Sequence, residues 1–289
     1  MGSSNRLGVA LQQGTDFLAR HKRDAPRLSA ELILCRAMRI SRLELLLSQD
    51  RLLSRAELLQ AWEMLEQRAR GCPLAYILGC KEFYGLEFQV GPQVLIPRPE
   101  TELLLDLVQK LAPWSQELVF ADLGTGSGAL GIAMLCLYPR SRGLLMDISP
   151  AALRWARENA SQHQVLHRCQ LAVDDLGASL GQQSLDAILA NPPYLSSSDM
   201  AELSREIRDF EPLIALWGGP GGQEKALRML QNTLPSLKPG GWCLLEAAPQ
   251  QIAELLLAQE LFTAYGLQFE VHQDLAGKDR VLALHKVCA

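Results

Sequence analysis

From about residue 117 to its end, the chain switches repeatedly between two hydrophobic periods. "ELVFADLG" is a short apolar run and "SGALGIAMLCLYP" repeats at helical spacing. "RGLLMDIS" is another run, and "SPAALRWARENASQ" another helix, with Ser149 as its cap and Pro150 in its first position. "RCQLAVDD" and "SLDAILAN" predict two more strands, "GGQEKALRMLQNTLPSLKP" a helix and "GGWCLLEAA" a strand. "PQQIAELLLAQELF" predicts one continuous helix, and "LQFEVHQD" and "RVLALHK" two closing strands. A helix between successive strands carries the chain back over the sheet, so the strands run parallel. The expected fold class is α/β, a doubly wound, Rossmann-like sheet. Ligands of such sheets sit beyond the carboxyl ends of the strands, which makes the post-strand loops the places to look for chemistry.

The 289 residues before and within this pattern suggest two domains. "RLSAELILCRAM" and "SRAELLQAWEMLEQRARG" carry apolar residues at three- and four-residue spacing, with Ser54 and Glu57 as a capping box and Gly71 as a stop. "KEFYGLEFQVGPQVLIP" alternates and holds turn glycines, so it predicts a hairpin; "RPETELLLDLVQKLAP" predicts a helix with acids in its first turn. The expected division is a helical domain over 1–79, a β-hairpin linker over 80–97 and a catalytic domain over 98–289.

The loop after the first strand of the alternating region reads "ADLGTGSGALG". Gly124, Gly126 and Gly128, with Thr125 and Ser127 between them, allow a tight turn and close approach to a ligand at a helix N-terminus. Gly126, Gly128 and Gly131 also satisfy G-x-G-x-x-G, with Asp147 about 20 residues on, as a dinucleotide site requires. Asp122, two residues before Gly124, leans the other way. An acid ahead of G-x-G-x-G suits S-adenosylmethionine, whose sulfonium and ammonium are cationic. Asp147 at the second strand end can accept both ribose hydroxyls of such a ligand, or it can serve the helix that begins near Pro150. Asp174, Asp175 and Leu176 follow the third strand; either position 175 or its neighbours lie at an adenine edge with Leu176 against the ring, or the acids cap a helix from a loop.

The fourth strand stops at Asn191 in "LANPPYLSS". Pro192 and Pro193 have fixed φ and no N–H, so the carbonyls of Asn191 and Pro192 are held in place, and the Asn191 side chain adds an amide oxygen. Two rigid acceptors can grip an –NH2 group, and Tyr194 adds a flat face. Asn-Pro is also common in plain turns.

Taken together, "ADLGTGSGALGIA", "MDISPAAL", "NPPY", "LIPRPETE" and "FEPLIAL" resemble the bacterial release-factor glutamine methyltransferases, the HemK/PrmC group, over nearly the whole chain. The resemblance implies a class I methyltransferase domain that uses S-adenosylmethionine to methylate the glutamine amide of a Gly-Gly-Gln motif in peptide chain release factors. It implies donor contacts from Gly124 to Gly128, Asp147, Leu176 and Asn191. It implies glutamine contacts from Asn191 to Tyr194, and a pocket mouth shaped by Arg98, Glu100 and Glu102. Members often carry an aromatic residue where Leu176 stands, and "ALWGG" at Ala215–Gly219 puts Trp217 in place of an acid. The chain's own Gly221-Gly222-Gln223 matches the substrate motif, and chance coincidence is the expected reason.

Charge and cysteine usage narrow the rivals. Residues 1–80 hold 12 Lys/Arg against 8 Asp/Glu, while the remainder holds 16 against 24. A basic front end could face an acidic or RNA-rich partner; the plainer reading is solvated helix faces. The acidic catalytic half argues against an adenine amino-methyltransferase acting on DNA or RNA, which would use the same Asn-Pro-Pro-Tyr loop but needs a basic groove. A nicotinamide-dependent dehydrogenase leaves that loop unexplained, and a non-catalytic binding module would need a broken donor site. The seven cysteines show no C-x-x-C pair, so neither metal nor disulfides are expected. No run reaches the ~18 apolar residues of a membrane span. The expectation is a cytoplasmic monomer with release factors as partners, no membrane and no direct nucleic-acid substrate. His163, His167 and His272 are expected to be solvated.

Overall fold

The computed structural model describes residues 5–113 and 116–287. Cys288, counted above, lies outside them. The chain divides into two compact units, one of Met1–Cys80 with Ser204–Phe210, the other of Lys81–Leu203 with Glu211–Ala289.

The first unit contains α1 (Leu7–Arg20), α2 (Pro26–Met38), α3 (Arg42–Leu47), α4 (Arg55–Ala69) and the single-turn α5 (Leu74–Leu78). Leu7, Leu18, Ile33, Leu34, Leu45 and Leu65 fill its core. The Ser54–Glu57 capping box forms as the spacing predicts, and a second box, Ser41 with Glu44, starts α3. Buried Glu31 is held by Arg27 at 3.0 Å and Arg42 at 2.7 Å. Buried Arg68 is paired with Glu206 at 2.8 Å. Both ions are thus compensated, as burial of a charge demands.

A hairpin follows, β1 (Cys80–Phe83) and β2 (Leu86–Gln89), which belongs to the second unit from Lys81 onward, and then α6 (Glu102–Leu111). Then come β3 (Val119–Leu123), α7 (Ala129–Leu137), β4 (Arg142–Asp147), α8 (Pro150–Gln162), β5 (Cys169–Val173) and β6 (Leu185–Ala190). Two short helices that the sequence pattern does not signal follow, α9 (Ser197–Glu202) and α10 (Arg205–Phe210), the latter within the first unit. The chain finishes with α11 (Glu224–Thr233), β7 (Leu237–Glu246), α12 (Pro249–Leu256), α13 (Gln259–Ala264), β8 (Leu267–Gln273) and β9 (Asp279–Lys286).

The large sheet has the order β5-β4-β3-β6-β7-β9-β8. β3 pairs parallel with both β4 and β6, while β9 runs antiparallel to its two neighbours, β7 and β8. Strand order reverses at β3, so the carboxyl ends of β4, β3 and β6 surround the natural crevice of the sheet. Asp147, Asp122 and Asn191 stand in that row. Phe120, Leu145 and Leu189 pack on one face, Ala121, Ile188 and Leu245 on the other. This is why the strands read as continuous apolar runs.

Two sequence expectations fail near the C-terminus. The helix foreseen through Pro239 ends at Thr233, because Pro235 lacks an N–H and the chain tightens into a 3-10 turn over Leu234–Ser236. β7 therefore starts at Leu237, ahead of the expected strand. The single helix foreseen over 249–262 is broken after Leu256. Leu257 and Ala258 bond to carbonyls three residues back, a tightened turn that closes α12.

Candidate active site

The glycine loop is built from below. Asp122, 1% exposed at the end of β3, accepts from the Thr125 hydroxyl at 2.5 Å and from the Gly131 N–H at 2.9 Å. Burial lifts its carboxyl to about 6, against the opposing pull of those two donors. Its carboxylate therefore pins the loop. Gly124 and Thr125 donate their N–H groups to the Met146 carbonyl at 2.8 and 3.0 Å. Gly124, Gly126 and Gly128 all have positive φ. At Gly128 a Cβ would stand 2.6 Å from Ile132 and 3.1 Å from the Ala156 backbone, so this residue must be glycine for α7 and α8 to pack beside the loop. Asn159, fully buried on α8, donates to the Ser127 carbonyl at 2.8 Å and exchanges hydrogen bonds with the Gln89 backbone. Nothing in the local sequence pattern around Asn159 signals this tie.

Asp147 ends β4 with its carboxylate divided: Oδ2 accepts from Gly126 N–H at 2.9 Å and Oδ1 from Ser149 N–H at 2.8 Å. Burial raises its pKa and these two donors oppose the rise. Asp147 lines an open cleft of about 810 Å³ together with Gly124, Gly126, Ile148, Asp175 and Leu176 among others. Asp175 is also paired with Arg228 at 2.7 Å on the surface, and Leu176 sits at φ +58° with its carbonyl capped by Asn232. Asp174, not Asp175, makes the capping turn, accepting from Gly177, Ala178 and Ser179.

Asn191 lies at the wall shared by this cleft and a second cavity of about 450 Å³, which is lined by Phe83, Arg98, Thr101, Thr125 and Leu130. Its side-chain nitrogen donates to the Thr101 hydroxyl at 2.9 Å. Pro192 is buried; Pro193 also lines the larger cleft. Tyr194 is half-buried, and burial pushes its phenol up, with the nearby Glu246 adding to the rise. Arg98 reaches Glu211 at 2.7 Å while lining the smaller cavity. Glu100 is exposed beside it. Glu102 faces elsewhere: it accepts from the Tyr84 N–H at 2.9 Å, tying α6 to the hairpin, so its expected place at the pocket mouth is not what the structure shows.

The "ALWGG" loop backs the Asn-Pro-Pro-Tyr segment. A Cβ at Gly218 would stand 2.1 Å from the Gly222 carbonyl and 2.6 Å from that of Pro193. Trp217 is partly exposed with Lys225 5.5 Å over its ring. Gly221-Gly222-Gln223 is part of the same packing, with Gly222 close to the Tyr194 carbonyl. That close approach and its positive φ account for the glycine at 222.

Sequence reasoning missed Thr101 and Glu246. Thr101 lay inside the quoted "RPETE" and Glu246 ends β7, so the strand-end rule could have found the second. Glu246 is 1% exposed, and burial lifts its carboxyl to about 7. His163 bonds the Glu87 carbonyl and lies against Phe88, away from these loops. Among the described residues no cluster fit to hold a metal ion occurs, and no helix is long and apolar enough to cross a membrane.

A reversed parallel sheet with a glycine loop, a ribose-suited acid and an Asn-Pro-Pro-Tyr strand end defines a Rossmann-like class I methyltransferase. The fold matches that of a methyltransferase from Pyrococcus furiosus, at TM-score 0.53 and 18% identity over 72% of this chain and 92% of that one. Residues 9–79 match the PrmC N-terminal domain and residues 99–207 the methyltransferase small domain. The release factor glutamine methyltransferase of Nitratidesulfovibrio vulgaris is 41% identical over 90% of this chain and 88% of its own length. That of Moorella thermoacetica is 36% identical over 97% and 98%. The chain belongs to the release factor glutamine methyltransferase family.

Proposed function

We propose that the chain transfers the methyl group of S-adenosylmethionine to the side-chain amide nitrogen of the glutamine in the Gly-Gly-Gln motif of peptide chain release factors. The observation that carries this reading is the position of Asn191 on the wall common to both cavities, with its amide nitrogen already spent on Thr101. Its Oδ1 is thereby left for the substrate. When bound in the larger cleft, the donor supplies an electrophilic methyl on a sulfonium. The Asp147 carboxylate suits the ribose hydroxyls, Asp175 and Leu176 the adenine side, and the loop from Gly124 to Gly128 the amino-acid end.

An amide nitrogen is a poor nucleophile because its lone pair is delocalised into its carbonyl. Asn191 Oδ1 and the Pro192 carbonyl accept from its N–H groups, return electron density to nitrogen and fix its direction of attack. As the N–CH3 bond forms, the S–CH3 bond breaks to leave a neutral thioether, and the nitrogen gives up one proton to solvent. Pro192 and Pro193 keep both acceptors in place, and Tyr194 packs against the flat amide. Alignment is then the main contribution of the protein. Arg98 and Glu100 lie at the mouth, where they meet the chain carrying the glutamine. The helical domain over 1–79 docks the rest of the protein substrate, a role supported by the exposed Leu43, Leu46 and Leu47 on α3 and by its basic balance. This reading places the enzyme in the cytoplasm, with translation factors as its partners.

The test is incubation with labelled S-adenosylmethionine and purified release factor, followed by peptide mapping. Label on the Gly-Gly-Gln glutamine supports the reading; label on an adenine base of added DNA or RNA, with none on the factor, overturns it.

A further inference from the structure

Glu246 is a buried carboxyl at a strand end, where an ionised group is costly to keep. It closes β7 beside the strand that ends in Asn191, is 1% exposed, and its Oε2 is buried with no hydrogen-bond partner. The charged and titratable groups that face it are Arg280 from β9, Arg98 and Glu100 from the segment before α6, and Tyr194 from the loop after β6. Neither arginine is dedicated to it: Arg280 is paired with Asp274 at 3.1 Å and Arg98 with Glu211 at 2.7 Å. An isolated buried carboxylate is strongly disfavoured. What meets Glu246 directly is the hydroxyl of Thr101, and that same hydroxyl accepts from Asn191 Nδ2.

We propose that Glu246 is a positioning residue that sets, through the Thr101 hydroxyl, which end of the Asn191 amide faces the substrate. The inference rests on the role given to Asn191 above. A threonine hydroxyl has one proton. With Glu246 ionised, that proton goes to the carboxylate, so Thr101 can only accept from Asn191. The amide is locked with Nδ2 toward Thr101 and Oδ1 toward the cavity, as the incoming –NH2 requires. With Glu246 protonated, the carboxylic acid can donate to Thr101, which can then donate to the Asn191 oxygen. The amide turns over and presents N–H groups to the N–H groups of the substrate. The relay transmits polarity through two hydrogen bonds while the backbone stays still. Because burial lifts Glu246 to about 7, the competent orientation is gained as pH rises through the neutral range.

The experiment is single-turnover methyl transfer by the full-length enzyme, at saturating S-adenosylmethionine and release factor, from pH 5.5 to 9. The parent should show a rate that rises through a midpoint near 7 to a plateau. Thr101→Val, which keeps the shape but removes the relay hydroxyl, should be ~30-fold slower at the plateau and lose the acid limb. Thr101→Ser should restore both rate and limb, which a merely structural role for the methyl-bearing side chain would not do. Glu246→Gln should lose the limb as well. If Asn191→Ala is slow but Thr101→Val and Glu246→Gln keep the parental rate and midpoint, the relay is wrong and the role of Asn191 stands. If Asn191→Ala itself runs at the parental rate, the role of Asn191 falls and the relay with it.

Discussion

The side-chain nitrogen of Asn191 lies 2.9 Å from the hydroxyl of Thr101, a residue 90 positions earlier in the chain. One strand end and the first turn before α6 thus meet in a single hydrogen bond, and its polarity decides what Asn191 can offer a ligand. Because the half-buried amide nitrogen is engaged there, the oxygen is the atom left to the cavity.

The donor cleft makes the first prediction. Asp147→Ala removes the acceptor of the Gly126 and Ser149 N–H groups together with the proposed ribose contacts. Charge-assisted hydrogen bonds are worth ~1.5–3 kcal/mol each, so affinity for S-adenosylmethionine should fall tenfold or more. Asp147→Asn, which keeps one acceptor oxygen, should fall less. Calorimetry that finds all three proteins alike would remove Asp147 from the donor site.

Gly218 tests the backing of the catalytic loop. A Cβ there meets only main-chain atoms, the Gly222 and Pro193 carbonyls and Tyr194 Cα at 2.8 Å, so a flexible side chain cannot absorb the overlap. Gly218→Ala should displace the Asn-Pro-Pro-Tyr segment and lower kcat by roughly 100-fold, the order expected for a misplacement near 1 Å. Donor affinity should change by less than about threefold, a difference under ~1 kcal/mol. Unchanged turnover would show that the loop does not depend on this packing.

Glu246 predicts a pH-dependent stability difference. Its folded-state carboxyl is raised to about 7 from an ordinary 4.5, so the folded protein binds a proton that the unfolded chain releases between those values. Stability from that proton is present at low pH and lost as pH rises to about 7. Glu246→Gln has no such proton to lose. Its melting temperature relative to the parent should therefore rise from pH 5 to 7 and level off above, with a gain on the order of 3 kcal/mol for a shift of this size. A flat difference across that range would mean the carboxyl titrates normally.

The docking role of the helical unit predicts a split between substrates. Leu43 and Leu47 on α3 are 65% and 78% exposed. Burial of one leucine is worth ~1.5–3 kcal/mol. Replacing both by serine should raise KM for intact release factor by at least about tenfold, since 1.4 kcal/mol is one decade. Turnover of a short Gly-Gly-Gln peptide should be unaffected. Equal KM values on the intact factor would place docking elsewhere.

Much of the architecture was legible because the strands are buried on both faces and read as unbroken apolar runs between helical periods. The same strand ends gave Asp122, Asp147 and Asn191 without any coordinates. Local pattern reasoning went wrong where tertiary contacts override it. The break after Leu256 and the early start of β7 have no period of their own, and α9 and α10 are too short to show one. It was also blind to side chains that act across the chain. Asp122, expected to face the ligand, lines the smaller cavity, and its unforeseen bonds from Thr125 and Gly131 also make it the anchor of the glycine loop. Thr101 and Glu246 look ordinary in sequence, and only their convergence on Asn191 gives them a role.

The central claim is that Asn191 accepts from the reacting amide. Asn191→Ala removes that acceptor, leaves the two prolines in place and spares the glycine loop and Asp147, so donor binding should fall only modestly. Loss of one preorganised contact in the transition state costs ~100- to 1,000-fold in turnover. Asn191→Asp keeps an acceptor oxygen and should retain more activity than alanine. The deciding measurement is the single-turnover rate of methyl transfer for parent, Asn191→Ala and Asn191→Asp at saturating S-adenosylmethionine and release factor. The account predicts that order of parent, aspartate and alanine, with alanine at least about 100-fold down. An alanine variant within about threefold of the parent, less than ~1 kcal/mol, would make Asn191 a turn residue and contradict the mechanism.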